Sequence, residues 1–154
     1  MMVLIRKVRT LTHLSAQDRW LASRAIGVVA VVRFALWMLP FRWIRKSVAS
    51  IGVNPAARWK LRPDRVAWAI SLASRYVPRA TCLTQALAAS VLLHRAGLEH
   101  QLQIGVSRER GFAAHAWVVC GDSVLVGGSG TASLYAPILT LDRSASPVEP
   151  KALS

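Results

Sequence analysis

Apolar positions follow two different periods along the chain. Up to about residue 97 they recur at helical spacing, and from residue 100 they alternate with polar ones. Ser15, with Asp18 three residues later, marks a helix start that has an acid near the positive end of its dipole. A helix from about Ala16 to Leu39 follows, Pro40 kinks or stops it, and residues 41–48 add a short helical piece. Ile51-Gly52-Val53-Asn54-Pro55 reads as a turn. Pro63 fits the first turn of a helix running to about Tyr76, with Val66, Ile70, Ala73 and Val77 at helical spacing, and Pro78 ends it. Thr81 can cap and Gly97 can close a further helix that is apolar on nearly every side. Such a helix belongs at the centre of the core, and Cys82 lies in its first turn.

Beyond it, Leu102, Ile104 and Val106 alternate with Gln101, Gln103 and Gly105 as a half-buried strand does. Ser107–Gly111 is a polar loop, Ala113–Cys120 a second strand, Gly121-Asp122 a two-residue hairpin turn and Ser123–Val126 a third strand. After the glycine-rich residues 127–130, Ile138–Leu141 is a short strand, and a Ser/Pro tail ends the chain. No internal repeat is visible. The fold class is α+β, with N-terminal helices ahead of a central helix on a small antiparallel sheet. We divide it into a basic helical region, residues 1–60, and a core, residues 61–154.

At 154 residues, 53% hydrophobic and 18% charged, the chain suits one compact domain and excludes disorder over most of its length. Two cysteines exclude a disulfide scaffold, and no His/Cys/Asp/Glu cluster has zinc-ligand spacing. No cofactor is expected. A reducing, cytoplasmic setting fits. The net charge of +13 is lopsided: residues 1–79 carry fifteen basic side chains and two acids, whereas residues 80–154 carry five of each. A basic surface of this size suits nucleic acid, anionic lipid or an acidic protein or peptide. Nucleic acid is the least favoured, because the charge is not interleaved with a recognition motif and the tryptophans lie among aliphatic residues.

Ala25–Leu39 is the most apolar stretch, but it falls short of the roughly 20 residues a spanning helix needs and holds Arg33 at its middle. A signal peptide is a poor fit, since Phe41-Arg42-Trp43-Ile44-Arg45-Lys46 separates the apolar part from any cleavage site. The leading reading is a core helix. The second is peripheral membrane contact through Trp37, Phe41 and Trp43 with their flanking arginines.

A cysteine at the first turn of a buried helix sits beside unpaired N–H groups and the positive end of the dipole, an environment that favours thiolate. The same N–H groups can accept charge developing on a carbonyl oxygen. Of the four histidines, only His115 lies within a predicted strand, and one further strand separates it from the Cys82 helix. Together the two residues form a nucleophile and base in the order of a cysteine hydrolase or acyltransferase. On spacing alone, a lone cysteine at a helix start is more often a small buried thiol and a lone strand histidine a satisfied half-buried residue. Cys120 reads as structural; His13, His94 and His100 read as surface or helix-end residues.

The run Pro78-Arg79-Ala80-Thr81-Cys82-Leu83-Thr84-Gln85-Ala86-Leu87-Ala88, then Leu92-Leu93-His94-Arg95-Ala96-Gly97, Ile104-Gly105-Val106 and Ala114-His115-Ala116-Trp117-Val118 resembles the transglutaminase-like leader peptidases of lasso-peptide biosynthesis. Leu14-Ser15-Ala16-Gln17-Asp18-Arg19, Arg33 and Leu39-Pro40-Phe41-Arg42 resemble that family's N-terminal helical region. The resemblance covers most of residues 10–128. It implies a papain-like fold and a cysteine protease with Cys82 as nucleophile and His115 as its base. Its substrate would be a ribosomally made precursor peptide, and a partner cyclase would close the ring. It also implies the split form, which relies on a separate leader-recognition protein. One departure stands out: the family's triad ends in an Asp on the strand after the histidine, where this chain has Gly127 and Gly128. Asp122 is roughly 20 Å from His115 in a regular hairpin. An irregular hairpin, a backbone carbonyl, a water or Asp142 remain open as the orienting group. The missing Asp motivates an alternative, a catalytically silent module that docks partners or membrane through its basic helices.

Overall fold

A computed structural model describes residues 15–52, 61–107, 113–128 and 135–142. Parts of the expected turn at 51–55 and loop at 107–111, and all of the tail, lie outside these residues. Among the described residues, four helices, α1 (Ala16–Met38), α2 (Phe41–Ser50), α3 (Pro63–Ser74) and α4 (Cys82–Arg95), precede four strands, β1 (Gln101–Ser107), β2 (Ala113–Cys120), β3 (Ser123–Val126) and β4 (Ala136–Asp142). The architecture is the expected α+β arrangement.

Helix α1 begins where the Ser15/Asp18 pattern puts it: the Ser15 hydroxyl accepts from the Asp18 N–H at 3.2 Å. Asp18 also takes a hydrogen bond and ion pair from Arg65 of α3, whose guanidinium lies 4.7 Å from the centre of the Trp68 ring. The Arg65 hydrogen bond first, and the nearby Ser15 hydroxyl as a side-chain donor second, hold the Asp18 carboxyl below its usual range. Leu21, Ala25, Val29 and Val32, spaced by three or four, form the buried face of α1. Pro40 then caps α2, which buries Ile44. Pro63 opens α3 at the position where a missing N–H costs nothing, and Val66, Ala69, Ile70 and Ala73 enter the core. This helix stops at Ser74, two residues before the expected end. Pro78 disfavours helical backbone at Val77, and the chain turns through Arg79 at a φ of 57°.

Central helix α4 is buried on most sides, with Ala86, Leu87, Ala88, Ala89, Leu92 and Leu93 all in the core. Gly97, at a φ of 70°, closes it: its N–H reaches the His94 carbonyl and the Leu98 N–H reaches that of Leu93. The core that α4 organises draws on α1, α2 and α3 as well as on the sheet.

The antiparallel sheet runs in the order β3-β2-β1-β4. Leu102 pairs with Val118 and Ile104 with Ala116, and these four face the helices. The simple alternation expected of β1 fails at Gly105, where the register against β4 shifts. A Cβ there would lie 2.6 Å from the Ala136 carbonyl oxygen and 2.7 Å from the Trp117 ring, so the strand needs glycine at this point. Strand β4 starts two residues earlier than expected. As an edge strand it tolerates Pro137, which lacks a ladder donor.

Of the histidines expected at the surface or at helix ends, His94 lies in the last turn of α4, His100 departs from the expectation and His13 lies outside the described residues. His100 is buried, its Nδ1 2.8 Å from the Leu98 carbonyl and its Nε2 2.7 Å from the Ser90 hydroxyl. His94 is half-buried and donates from Nε2 to the Ile51 carbonyl at 2.7 Å, tying the end of α4 to the segment after α2.

Candidate active site

Cys82 is the first residue of α4, partly buried against the core and not in a disulfide. The turn that presents it is held from both sides. Thr81 Oγ1 accepts from the Thr84 N–H at 3.4 Å and lies 3.0 Å from the Thr84 hydroxyl. Gln85 Nε2 reaches back to the Ala80 carbonyl at 2.9 Å, which ties the side-chain amide to the loop before α4. The Gln85 N–H is used by the Thr81 carbonyl. The first-turn donors left for a ligand are the N–H groups of Cys82 and Leu83.

His115 lies near the start of β2, half-buried. Its Nε2 is 2.9 Å from the Gly127 carbonyl oxygen. A carbonyl only accepts, so Nε2 carries the hydrogen and the neutral ring keeps its lone pair on Nδ1. Among the described residues Nδ1 has no hydrogen-bond partner. The ring stacks with Trp117 at 6.2 Å between centroids and meets Tyr135 at 5.1 Å. Trp117 is fully buried, and its Nε1 has no partner among the described residues. Ala116 and Val118 alternate with these rings and enter the core.

An irregularity in the hairpin explains the reach of the Gly127 carbonyl. Val118 pairs with Val126, but Val119 pairs with Val124, so β3 carries one extra residue. Gly127 follows at a φ of 116°, so close to β2 that a Cβ on it would stand 2.4 Å from that of Trp117. Of the orienting groups left open by the sequence, the backbone carbonyl is the one bonded to the ring. Asp122 sits exposed in the hairpin turn, and Asp142 ends β4 opposite Gln101.

The two expected site residues lie on the elements assigned to them, α4 and β2. The β2 side chains turned to the helices are Ala116 and Val118, with which His115 alternates, so the packing of α4 on β2 does not by itself bring Cys82 to the ring. No hydrogen bond joins Cys82 Sγ to His115 among the described residues. Cys120 donates its thiol to the Glu99 carbonyl at 3.1 Å, consistent with a structural role. Tyr135 is a site neighbour that the sequence reading missed, because only the non-sequential pairing of β4 with β1 brings it to His115.

A family model described as the transglutaminase-like superfamily matches residues 27–140, well over half the chain and an interval that contains Cys82, His115 and Gly127. No curated protein and no solved structure matches the chain.

Proposed function

The chain belongs to the transglutaminase-like superfamily, which includes cysteine proteases; from that membership we propose that it is a cysteine endopeptidase removing the leader from a lasso-peptide precursor. It would act beside a separate leader-binding protein and a ring-closing cyclase, in the cytoplasm. The observation that carries the chemistry is the His115 ring, held through Nε2 with Nδ1 left to take a proton. The motifs around Cys82 and His115, which resemble the lasso-peptide leader peptidases, supply the substrate class.

In this mechanism Cys82 Sγ gives its proton to His115 Nδ1 and attacks the scissile carbonyl carbon. The oxygen, now negative, faces the N–H groups of Cys82 and Leu83. As the C–N bond breaks, His115 returns the proton to the leaving amine, and the thioester that remains is opened by water activated by the same ring. The Gly127 carbonyl fixes the tautomer and the ring angle. It carries no full charge, so it stabilises the imidazolium less than a carboxylate would.

Reconstituted cleavage tests the reading: wild-type protein, precursor and leader-binding partner are mixed, and leader release is followed by mass spectrometry. Cys82→Ala and His115→Ala should each lower the rate by roughly a thousandfold or more with circular dichroism unchanged. A Cys82→Ala protein that cleaves as fast as wild type would end the proposal. The carbonyl in place of a carboxylate favours one second reading, a catalytically silent member of the superfamily. In that case no thiol-dependent cleavage would appear with any assembly of partners.

A further inference from the structure

The face of α1 turned away from the core is apolar. Trp20, Val31, Phe34, Trp37 and Met38 are all more than half exposed, and Trp43 extends the stripe onto α2. Phe34 and Trp37 rest ring against ring at 6.0 Å, with Trp37 72% exposed. Single exposed apolar residues need no explanation, but a continuous aromatic and aliphatic stripe along two consecutive helices does. Its borders are cationic. Exposed Arg42 and Lys46 flank Trp43 in α2, Arg24 lies 4.5 Å from the centre of the Trp20 ring, and Arg33 sits within α1. Residues 1–52 hold nine Lys and Arg against one acid, Asp18, which is engaged by Arg65.

We propose that this face docks the protein on the surface of an anionic lipid bilayer, with α1 lying along the interface. Two features choose this occupant. A second copy of the chain would set cationic borders against each other, which electrostatics opposes. A bilayer offers apolar depth to the tryptophans and phosphate to the arginines at the same level, which is how interfacial helices are composed. By length and composition α1 could also cross a membrane. Its other face is occupied, however, since Leu21, Ala25, Val29 and Val32 are packed into the protein core. The helix therefore lies on the membrane and does not span it. This inference is independent of the peptidase reading, since none of its residues belongs to the Cys82 and His115 site.

Full-length protein is sedimented with vesicles of phosphatidylcholine alone and of equimolar phosphatidylcholine and phosphatidylglycerol. Binding to the anionic vesicles is expected to be at least tenfold the stronger, roughly the effect of a few juxtamembrane cations, and to weaken with added salt. The variant Phe34→Glu/Trp37→Glu should reduce binding by about tenfold or more, and Arg42→Glu/Lys46→Glu should reduce it on anionic vesicles alone. Quenching of tryptophan emission by brominated lipids gives a measurement on the wild type that needs no variant. Equal binding by wild type and Phe34→Glu/Trp37→Glu, or wild-type tryptophans that brominated anionic vesicles fail to quench, would overturn the proposal. So would a wild-type dimer, seen by sedimentation equilibrium, that Phe34→Glu/Trp37→Glu converts to monomer, because a second copy would then own the face.

Discussion

Replacing Gly127 with alanine adds a single carbon at the most constrained point of the site. That carbon would stand 2.4 Å from the Trp117 Cβ, where two carbons normally keep about 3.5–4 Å. Trp117 is wholly buried and cannot retreat. Overpacking of this kind costs about 1–3 kcal/mol. A φ of 116° on a residue with a side chain adds strain of about 1–3 kcal/mol. Together these make Gly127→Ala destabilising by about 2–6 kcal/mol, a large share of the ~5–15 kcal/mol that a domain typically has. Gly27 supplies the control. It lies in α1 with nothing within 4 Å of an added Cβ, so Gly27→Ala should stabilise by about 0.5–1 kcal/mol through helix propensity. Urea unfolding followed by circular dichroism measures both. A Gly127→Ala protein within about 0.5 kcal/mol of wild type would refute the tight approach of Gly127 to β2, and with it the reason its carbonyl reaches His115.

Other consequences follow from the fold. Leu87→Ala empties a fully buried position at the centre of α4 and should cost about 2–5 kcal/mol in the same urea assay, whereas a cost under ~1 kcal/mol would mean that α4 is not the core helix. Asp18 has a folded-state pKa below its unfolded value of about 4, chiefly through the Arg65 bond, so that bond stabilises the protein above the unfolded value and is lost as pH falls through the folded one. Thermal melts of Asp18→Asn should accordingly show lower stability than wild type near neutral pH and a gap that closes on acidification. A gap that stays constant with pH would contradict the ion pair. Thr81→Ala removes the α4 cap and should cost about 1 kcal/mol, measured as a lowered urea midpoint.

Much of this fold is legible in the chain because its punctuation is strong. Ser15 and Asp18 start α1, Pro40 separates it from α2, and Thr81 and Gly97 bracket α4, each through a local bond that the residue type makes available. The hairpin turn at Gly121-Asp122 is legible for the same reason, with Gly121 supplying a φ of 58°. Where the reading fails, the cause is non-local. Pro137 disguises the start of β4, since only its edge position in the sheet makes proline harmless there. His100 looks like a helix-end residue, but the turn after α4 folds it back so that its ring meets the Ser90 hydroxyl on the body of that helix, a contact its place in the sequence does not announce. The site divides along the same line. Cys82 and His115 are picked out as candidates by residue type and by the helix and strand that carry them. The group that orients His115 is a backbone carbonyl, which every residue possesses, and it is selected by one extra residue in β3. A pair of glycines where a carboxylate was expected signals close backbone approach, yet does not say which carbonyl will point at the ring.

Cys82 as a thiol activated by His115 is the claim on which the chemistry rests, and alkylation tests it without any knowledge of the substrate. Iodoacetamide rates at Cys82 and Cys120 can be resolved by peptide mass mapping in wild type and His115→Ala near neutral pH. The account expects Cys82 to react faster than both Cys120 and free cysteine, and His115→Ala to remove that advantage. A Cys82 thiol no more reactive than free cysteine, or equally reactive with and without the imidazole, would contradict it.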